Sequence, residues 1–190
     1  MKQAIRNGLW VALLAASLAG IAIAQSIASS QKPSTPEVTQ RPVVAVEPAD
    51  LSGMLAAQNQ VRTRPGLQPL IWSASLSESS RTLARTASAG ACSMGSAEKS
   101  MRGKDASLHW APATRRFGGE DAVQEISASY VVSRWREGRA GYDAATAACR
   151  EKSPECAAYA RMVAIANREV GCARIVCPSK SQVWICEYRK

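Results

Sequence analysis

The sequence predicts an α+β domain held together by disulfides, and three observations carry that prediction. The C-terminal stretch reads as an antiparallel hairpin. The stretches before it carry apolar residues at helical spacing. Six cysteines sit in a chain that opens with an export signal.

In the hairpin, Val170-Gly171-Cys172-Ala173-Arg174-Ile175-Val176-Cys177 and Val183-Trp184-Ile185-Cys186-Glu187-Tyr188 flank Pro178-Ser179-Lys180-Ser181-Gln182. Pro and Ser favour the turn, and Val, Ile, Trp and Tyr suit a pleated, half-buried surface. A Cys177–Cys186 bond would tie the two arms and leave Cys172 to reach another part of the chain.

Residues 1–24 read as a secretory signal. Lys2 and Arg6 supply the charged start, Leu9 to Ala19 the apolar run, and Ala22-Ile23-Ala24 the small-x-small cleavage site. The alternative is a membrane anchor, since the run over residues 8–24 is broken only by Ser17 and approaches the shortest spanning length. Cleavage before Gln25-Ser26 fits better. Export makes the six cysteines read as three disulfides, with fifteen pairings open. Zinc is disfavoured because there is no C-x2-C pair and the single histidine, His109, has no cysteine near it.

The whole chain carries a net charge of +9, and removal of Lys2 and Arg6 with the signal leaves +7. A basic exported domain is drawn to anionic surfaces such as phospholipid, lipopolysaccharide or acidic glycan. Nucleic acid is disfavoured, because basic and aromatic residues do not interleave and the address is outside the cytoplasm.

Residues 25–49 hold Pro33, Pro36, Pro42 and Pro48 among Ser, Thr, Gln and Val, with no apolar period, and read as a disordered linker. A first helix is predicted over residues 50–63, capped by Asp50, with Leu51, Met54, Leu55 and Val61 on one face beside Gln58. Pro65-Gly66 ends it. A second helix spans 73–89, with Leu76, Leu83, Ala84 and Ala87 as its stripe and Gly90 as its stop. Residues 90–118 read as a long loop with one short strand, stapled at Cys92, and place His109 on the surface. Long loops of this kind are functional or tied down. A third helix is predicted over 121–136, burying Val123, Ile126, Tyr130, Val131 and Trp135. A short helix over 156–167 carries Tyr159, Met162, Val163 and Ile165. There is no internal repeat.

Several local signals stand in a fixed order. Asn59 and Arg62 come first, then Gly66, Pro69, Leu70 and Trp72, then Leu76 and Ala84, Cys92, Gly119-Glu120, and Trp135 with Tyr142-Asp143. Cys149, Cys156, Tyr159, Gly171-Cys172-Ala173, and Cys177 with Cys186 close the series. This series resembles the CAP superfamily (cysteine-rich secretory, antigen 5 and pathogenesis-related class-1 proteins, the SCP-like extracellular domains) over residues 50–190. The resemblance implies an α-β-α sandwich around an antiparallel sheet. It implies disulfides Cys92–Cys172, Cys149–Cys156 and Cys177–Cys186. Two of these agree with local sequence, since Cys149 and Cys156 bracket a short Pro-containing loop and Cys177 and Cys186 bracket the hairpin turn.

The family cleft usually carries two histidines and two glutamates. On this chain the His-Asn motif is Gln58-Asn59, and the Gly-Glu-Asn motif is Gly119-Glu120-Asp121. The glutamate three residues past the helix tryptophan falls on Gly138, with Glu137 one position early. The second histidine falls on Ala158. Gln58, Glu120, Glu137 and Ala158 are therefore the candidate cleft residues. Without imidazoles at those places the cleft lacks the usual metal ligand and neutral-pH base. The expectation is a non-catalytic, monomeric exported domain with no metal, no cofactor and no catalytic residue. Its partner would be a lipid- or sterol-like ligand or an anionic envelope surface, with the membrane met only through the signal. Two alternatives remain, a protein-binding scaffold acting through residues 90–118 and a divergent hydrolase using Glu120. Glu120 itself reads equally well as a carboxylate at the start of the third helix.

Overall fold

A computed structural model describes residues 45–190, so the predicted signal and most of the linker lie outside the described residues. The described chain is a three-layer α-β-α sandwich. Its central sheet has strand order β1-β7-β8-β2, from β1 (Ile71–Trp72), β2 (Ala106–Ala111), β7 (Glu169–Val176) and β8 (Gln182–Arg189). The predicted hairpin is β7–β8, and β2 joins the far side of β8 antiparallel, while β1 runs parallel to β7.

Strand side chains alternate between faces, and the alternation builds two cores. Val170 and Cys172 of β7 with Trp184 and Cys186 of β8 face one core, shared with Leu51, Met54, Val131, Trp135 and Met162. Ala173, Val183 and Ile185 face the other, shared with Ala84, Ala87, Cys92 and Ala97. The first core is closed by α1 (Met54–Thr63), α4 (Ala128–Glu137) and α5 (Pro154–Val163), and the second by α2 (Ala74–Ser88) and α3 (Met94–Ser100). Among the described residues no helix is long and apolar enough to cross a membrane.

The second helix forms where predicted, but its buried face differs. Ser77, Ser80, Ala84 and Ala87 face the sheet, while Leu76 and Leu83 are half-buried. Small residues allow close approach: a Cβ on Gly171 of β7 would lie 2.3 Å from the backbone nitrogen of Ser77. Ser80 Oγ donates to Gly171 O at 2.9 Å across this contact.

The first helix begins four residues later than expected. Asp50 lies in a 3-10 turn over Ala49–Leu51, and Gly53 at φ +85° breaks the chain before α1. Its N-terminus is capped by the Glu47 carboxylate, which accepts from Gly53 N at 3.0 Å and from Leu55 N. Asn59 and Arg62 of the ordered series are structural. Asn59 clamps the backbone of Leu70, donating to its carbonyl at 3.0 Å and accepting from its N–H at 2.7 Å.

The segment 90–118 is more regular than a loop, because it contains α3 and β2. Ser93 caps α3 through a reciprocal pair with Ser96. The third helix is also shorter than predicted. Residues 121–122 form β4, paired with β3 (Thr114–Arg115), and the chain stays extended until Ser127 caps α4 by accepting from Tyr130 N at 3.1 Å. Tyr130 is exposed, and Ala128, Val131, Val132 and Trp135 form the buried side. The short helix starts at Pro154, capped by Ser153, and ends before Ile165, which is exposed.

All six cysteines are bonded, but two of the three expected pairings are corrected. The bonds are Cys92–Cys177, Cys149–Cys156 and Cys172–Cys186. Cys172 and Cys186 stand directly opposite in the β7–β8 register, with Cα atoms 4.1 Å apart. That is the closely spaced kind of antiparallel pair. Cys177 instead sits at the turn, where its N–H donates to Ser181 O. Cys186 lies five residues further along β8, roughly 17 Å at the strand rise, beyond disulfide reach. The turn end of the hairpin abuts the start of α3, so Cys177 meets Cys92, with Ser181 Oγ donating to Cys92 O at 3.2 Å alongside.

Candidate functional site

The four candidate cleft positions have different fates. Gln58 is fully buried (0 % exposed). Its Nε2 faces Cys172 Sγ and Cys186 Sγ, each at 3.7 Å, and its Oε1 accepts from Tyr188 Oη at 2.9 Å. Burial pushes the Tyr188 phenol far above its ordinary value, so it stays a donor. Ala158 is also buried (1 % exposed), within the first core. Glu120 is exposed on the β3–β4 turn, and its carbonyl accepts from Arg116 N at 2.9 Å. Glu137 is exposed at the end of α4, paired with Arg134 at 2.7 Å, and lines a cavity of about 450 Å³ with Gly138, Arg150, Glu155 and Cys156. Glu137 lines that cavity without Gln58, Glu120 or Ala158.

At Gly138, where the resemblance implies a glutamate, a side chain has no space. A Cβ on Gly138 would lie 2.1 Å from the carbonyl oxygen of Glu155 at the start of α5. The end of α4 is thus pressed against α5 with no space for a side chain.

His109 is a site residue that the sequence reading placed wrongly. It is half-buried on β2, paired with Trp184 of β8, and its ring meets Tyr130 edge-on at 6.1 Å. It lines a cavity of about 610 Å³ with Met94, Met101, Trp110, Arg134 and Arg161. Its Nε2 is buried without a hydrogen-bond partner in the structure. Desolvation, then the nearby Arg134 guanidinium, hold its pKa below the ordinary imidazole value, so the neutral ring is favoured. The available sequence signal was the alternation of Leu108 and Trp110 around it. Gln58 and Ala158, where the resemblance implies imidazoles, are both buried. Among the described residues no three His, Cys, Asp or Glu side chains gather as metal ligands.

The groove with the most distinctive chemistry lies elsewhere. A cavity of about 580 Å³ runs between α1, the end of α4, β5 (Tyr142–Asp143) and α5. Val61, Pro65, Leu67, Tyr159, Val163 and Ile165 give it an apolar lining. Arg64, Arg136, Arg139 and Arg150 surround that lining, and no acidic residue is among the lining residues. All four arginines are exposed, and none forms an ion pair among the described residues. Tyr142 packs edge-on to Tyr159 at 5.3 Å. Burial, then Tyr159 and Asp143, raise the Tyr142 pKa, so it presents a neutral hydroxyl to the groove. Ile165 is 73 % exposed at the groove edge. The arrangement suits a ligand with an apolar body and an anionic head.

The described residues form a disulfide-bonded α-β-α sandwich. Hookworm platelet inhibitor shares the fold, with a TM-score of 0.52 at 13 % identity, over 72 % of this chain and 66 % of that one. The chain thus spans about two thirds of that protein's length. The venom allergen-like protein 4 of Schistosoma mansoni is also similar, with a TM-score of 0.46 at 15 % identity, over 75 % of this chain and 91 % of that one. No curated protein matches the sequence. Residues 55–188 match the CAP family, described as the cysteine-rich secretory protein family, and the chain belongs to it.

Proposed function

We propose that this CAP domain is an exported, non-catalytic binder of an anionic amphiphile, held in the groove between α1 and α5. The observation that carries the reading is the four unpaired arginines, Arg64, Arg136, Arg139 and Arg150, around an apolar lining with no acid. Guanidinium groups recognise carboxylate or phosphate through paired hydrogen bonds. The apolar lining then takes the hydrocarbon, and the neutral Tyr142 hydroxyl supplies a further donor. A non-catalytic role is supported by the burial of Gln58 and Ala158 and by the placement of Glu120 on an exposed turn.

The test is binding of a long-chain fatty acid to the chain from residue 25 onward, against the alcohol of equal chain length. The acid binds at least about tenfold more tightly, as one charge-assisted hydrogen bond implies. Arg136→Gln with Arg139→Gln removes that preference and leaves the alcohol unaffected. Equal binding of acid and alcohol, or no binding of either, overturns the reading.

A further inference from the structure

The chain has one phenylalanine, and the fold places it in water. Phe117 is fully exposed (113 %) at the tip of the β3–β4 hairpin. Arg115 and Arg116 precede it and Gly118-Gly119 follow. Gly119 at φ +82° turns the chain, and its N–H donates to Arg116 O at 2.9 Å, which closes a tight turn with Phe117 projecting from it.

This tip is not an isolated apolar residue. Arg116 shares a cavity of about 740 Å³ with Arg174 and Lys180, which lie towards the turn end of the β7–β8 hairpin. Val176, two residues beyond Arg174 and so on the same face of β7, is 45 % exposed. Arg174 is held in place by stacking on Trp184 at 5.0 Å and by donating to Gln182 Oε1 at 2.9 Å. Acids stand nearby. Asp121, which pairs with Arg115 at 3.9 Å, and Glu125 line the same cavity, and Glu120 lies on the turn. Arg116, Arg174 and Lys180 form no ion pair among the described residues, and the exported chain as a whole is basic.

An aromatic wedge beside unpaired cations suits one partner above others. Aromatic rings settle at the headgroup level of a bilayer, and basic side chains are attracted to anionic lipid. We propose that the β3–β4 hairpin is a membrane-docking tip, which inserts Phe117 at the headgroup boundary of an anionic bilayer. Arg116, Arg174 and Lys180 then lie over lipid phosphates. The proposal stands apart from the groove between α1 and α5 and does not need that groove to be filled.

The test is co-sedimentation of the chain from residue 25 onward with vesicles of equal phosphatidylglycerol and phosphatidylcholine, and with phosphatidylcholine alone. The protein partitions onto the anionic vesicles, less so as salt rises. Phe117→Ser weakens that partition about tenfold, from the lost apolar burial, and Phe117→Leu largely keeps it. Arg116→Gln weakens it roughly fivefold. The distant pair Lys152→Gln with Lys190→Gln, the latter at the far end of β8 from the turn, has a smaller effect than Arg116→Gln alone, although it removes one more charge. All four variants change exposed residues, and matching melting temperatures confirm that each is folded. Three outcomes overturn the proposal: vesicle binding unchanged in Phe117→Ser, loss in the distant pair as large as at the tip, or no vesicle binding while Phe117→Ser abolishes capture of a protein partner.

Discussion

Gly138 and the carbonyl of Glu155 meet so closely that a methyl group cannot stand between them, since a Cβ there would lie 2.1 Å from that oxygen. The φ of Gly138 is −59°, an ordinary helical value, so the restriction is one of space and not of backbone strain. Gly138→Ala must therefore push α4 away from α5. The expected cost is at least about 2 kcal/mol, in the range of forced overpacking, or a fall of roughly 6 °C or more in melting temperature. Gly141→Ala is the internal control. Its Cβ would lie 3.7 Å from Cys156 Cβ, an ordinary contact, so its melting temperature should stay within a degree or two of the parent.

Cys92 and Cys177 are 85 residues apart, the longest of the three closures. On the loop-entropy account such a closure contributes about 4.5 kcal/mol. Cys92→Ser with Cys177→Ser should lower stability by an amount of that order, and Cys149→Ser with Cys156→Ser, closing only 7 residues, by less. Denaturant unfolding compares the two pairs. Peptide mapping without reductant should recover Cys92 bonded to Cys177 and Cys172 bonded to Cys186. A peptide joining Cys92 to Cys172 would contradict the register of β7 and β8.

How much of this was legible beforehand depended on how local the cause was. The β7–β8 hairpin and α2 were readable, because Val, Ile and Trp at period two and the Ser73 and Gly90 boundaries act within one element. Strand β2 was legible only as one short strand of unfixed place, since Ala106 and Ser107 have little β preference and are held by non-local pairing with Glu187 and Cys186. Without its place, His109 was read as a surface residue and not as a half-buried one on β2. The start of α4 was misread because Val123 and Ile126 mimic a helical spacing, whereas residues 121–122 pair with β3 and Ser127 supplies the cap. The groove arginines were visible singly as charge. Their convergence from the end of α1, from α4, from the segment after it and from the stretch just past Cys149 depends on tertiary packing alone.

His109 makes the stability of the domain depend on pH in a defined direction. Desolvation and Arg134 lower its pKa in the folded state, so in the unfolded state it takes up a proton first as pH falls below about 6.5. The unfolded chain then binds more protons than the native one, and stability falls with falling pH. It is the chain's single histidine, so no other imidazole contributes to this dependence. Melting temperatures measured from pH 7.5 to pH 5.5 should decline, and His109→Gln should flatten that decline. An unchanged slope in His109→Gln would show that the ring is protonated as easily in the folded state as in water.

Arg62 joins α1 to the far end of α5 and to the chain that leads into β7. It is fully buried, and its guanidinium donates to four carbonyls: Gln68 at 2.7 Å, Met162 at 2.6 Å, Ala164 at 3.1 Å and Asn167 at 3.1 Å. No carboxylate faces it in these bonds. Desolvation, then Arg168, lower its pKa, yet the charge is spread over four carbonyl dipoles, of which Asn167 O also accepts from Arg168 Nη1 at 3.1 Å and Ala164 O from Asn167 N at 3.2 Å. A lysine has a single nitrogen and cannot span these four oxygens from one planar fork. Arg62→Lys should therefore cost about 2–4 kcal/mol, as at least two of the four buried charge-assisted bonds are lost. Arg62→Met fills similar volume but removes all four bonds and leaves Gln68 O and Met162 O without a donor, and should cost more. Denaturant melts of both variants settle the order. Hydrogen exchange adds a local reading, because the amides of residues 164–168 should lose protection before those of β8. If Arg62→Met were as stable as the parent, the four bonds would not be what fixes the segment between α5 and β7.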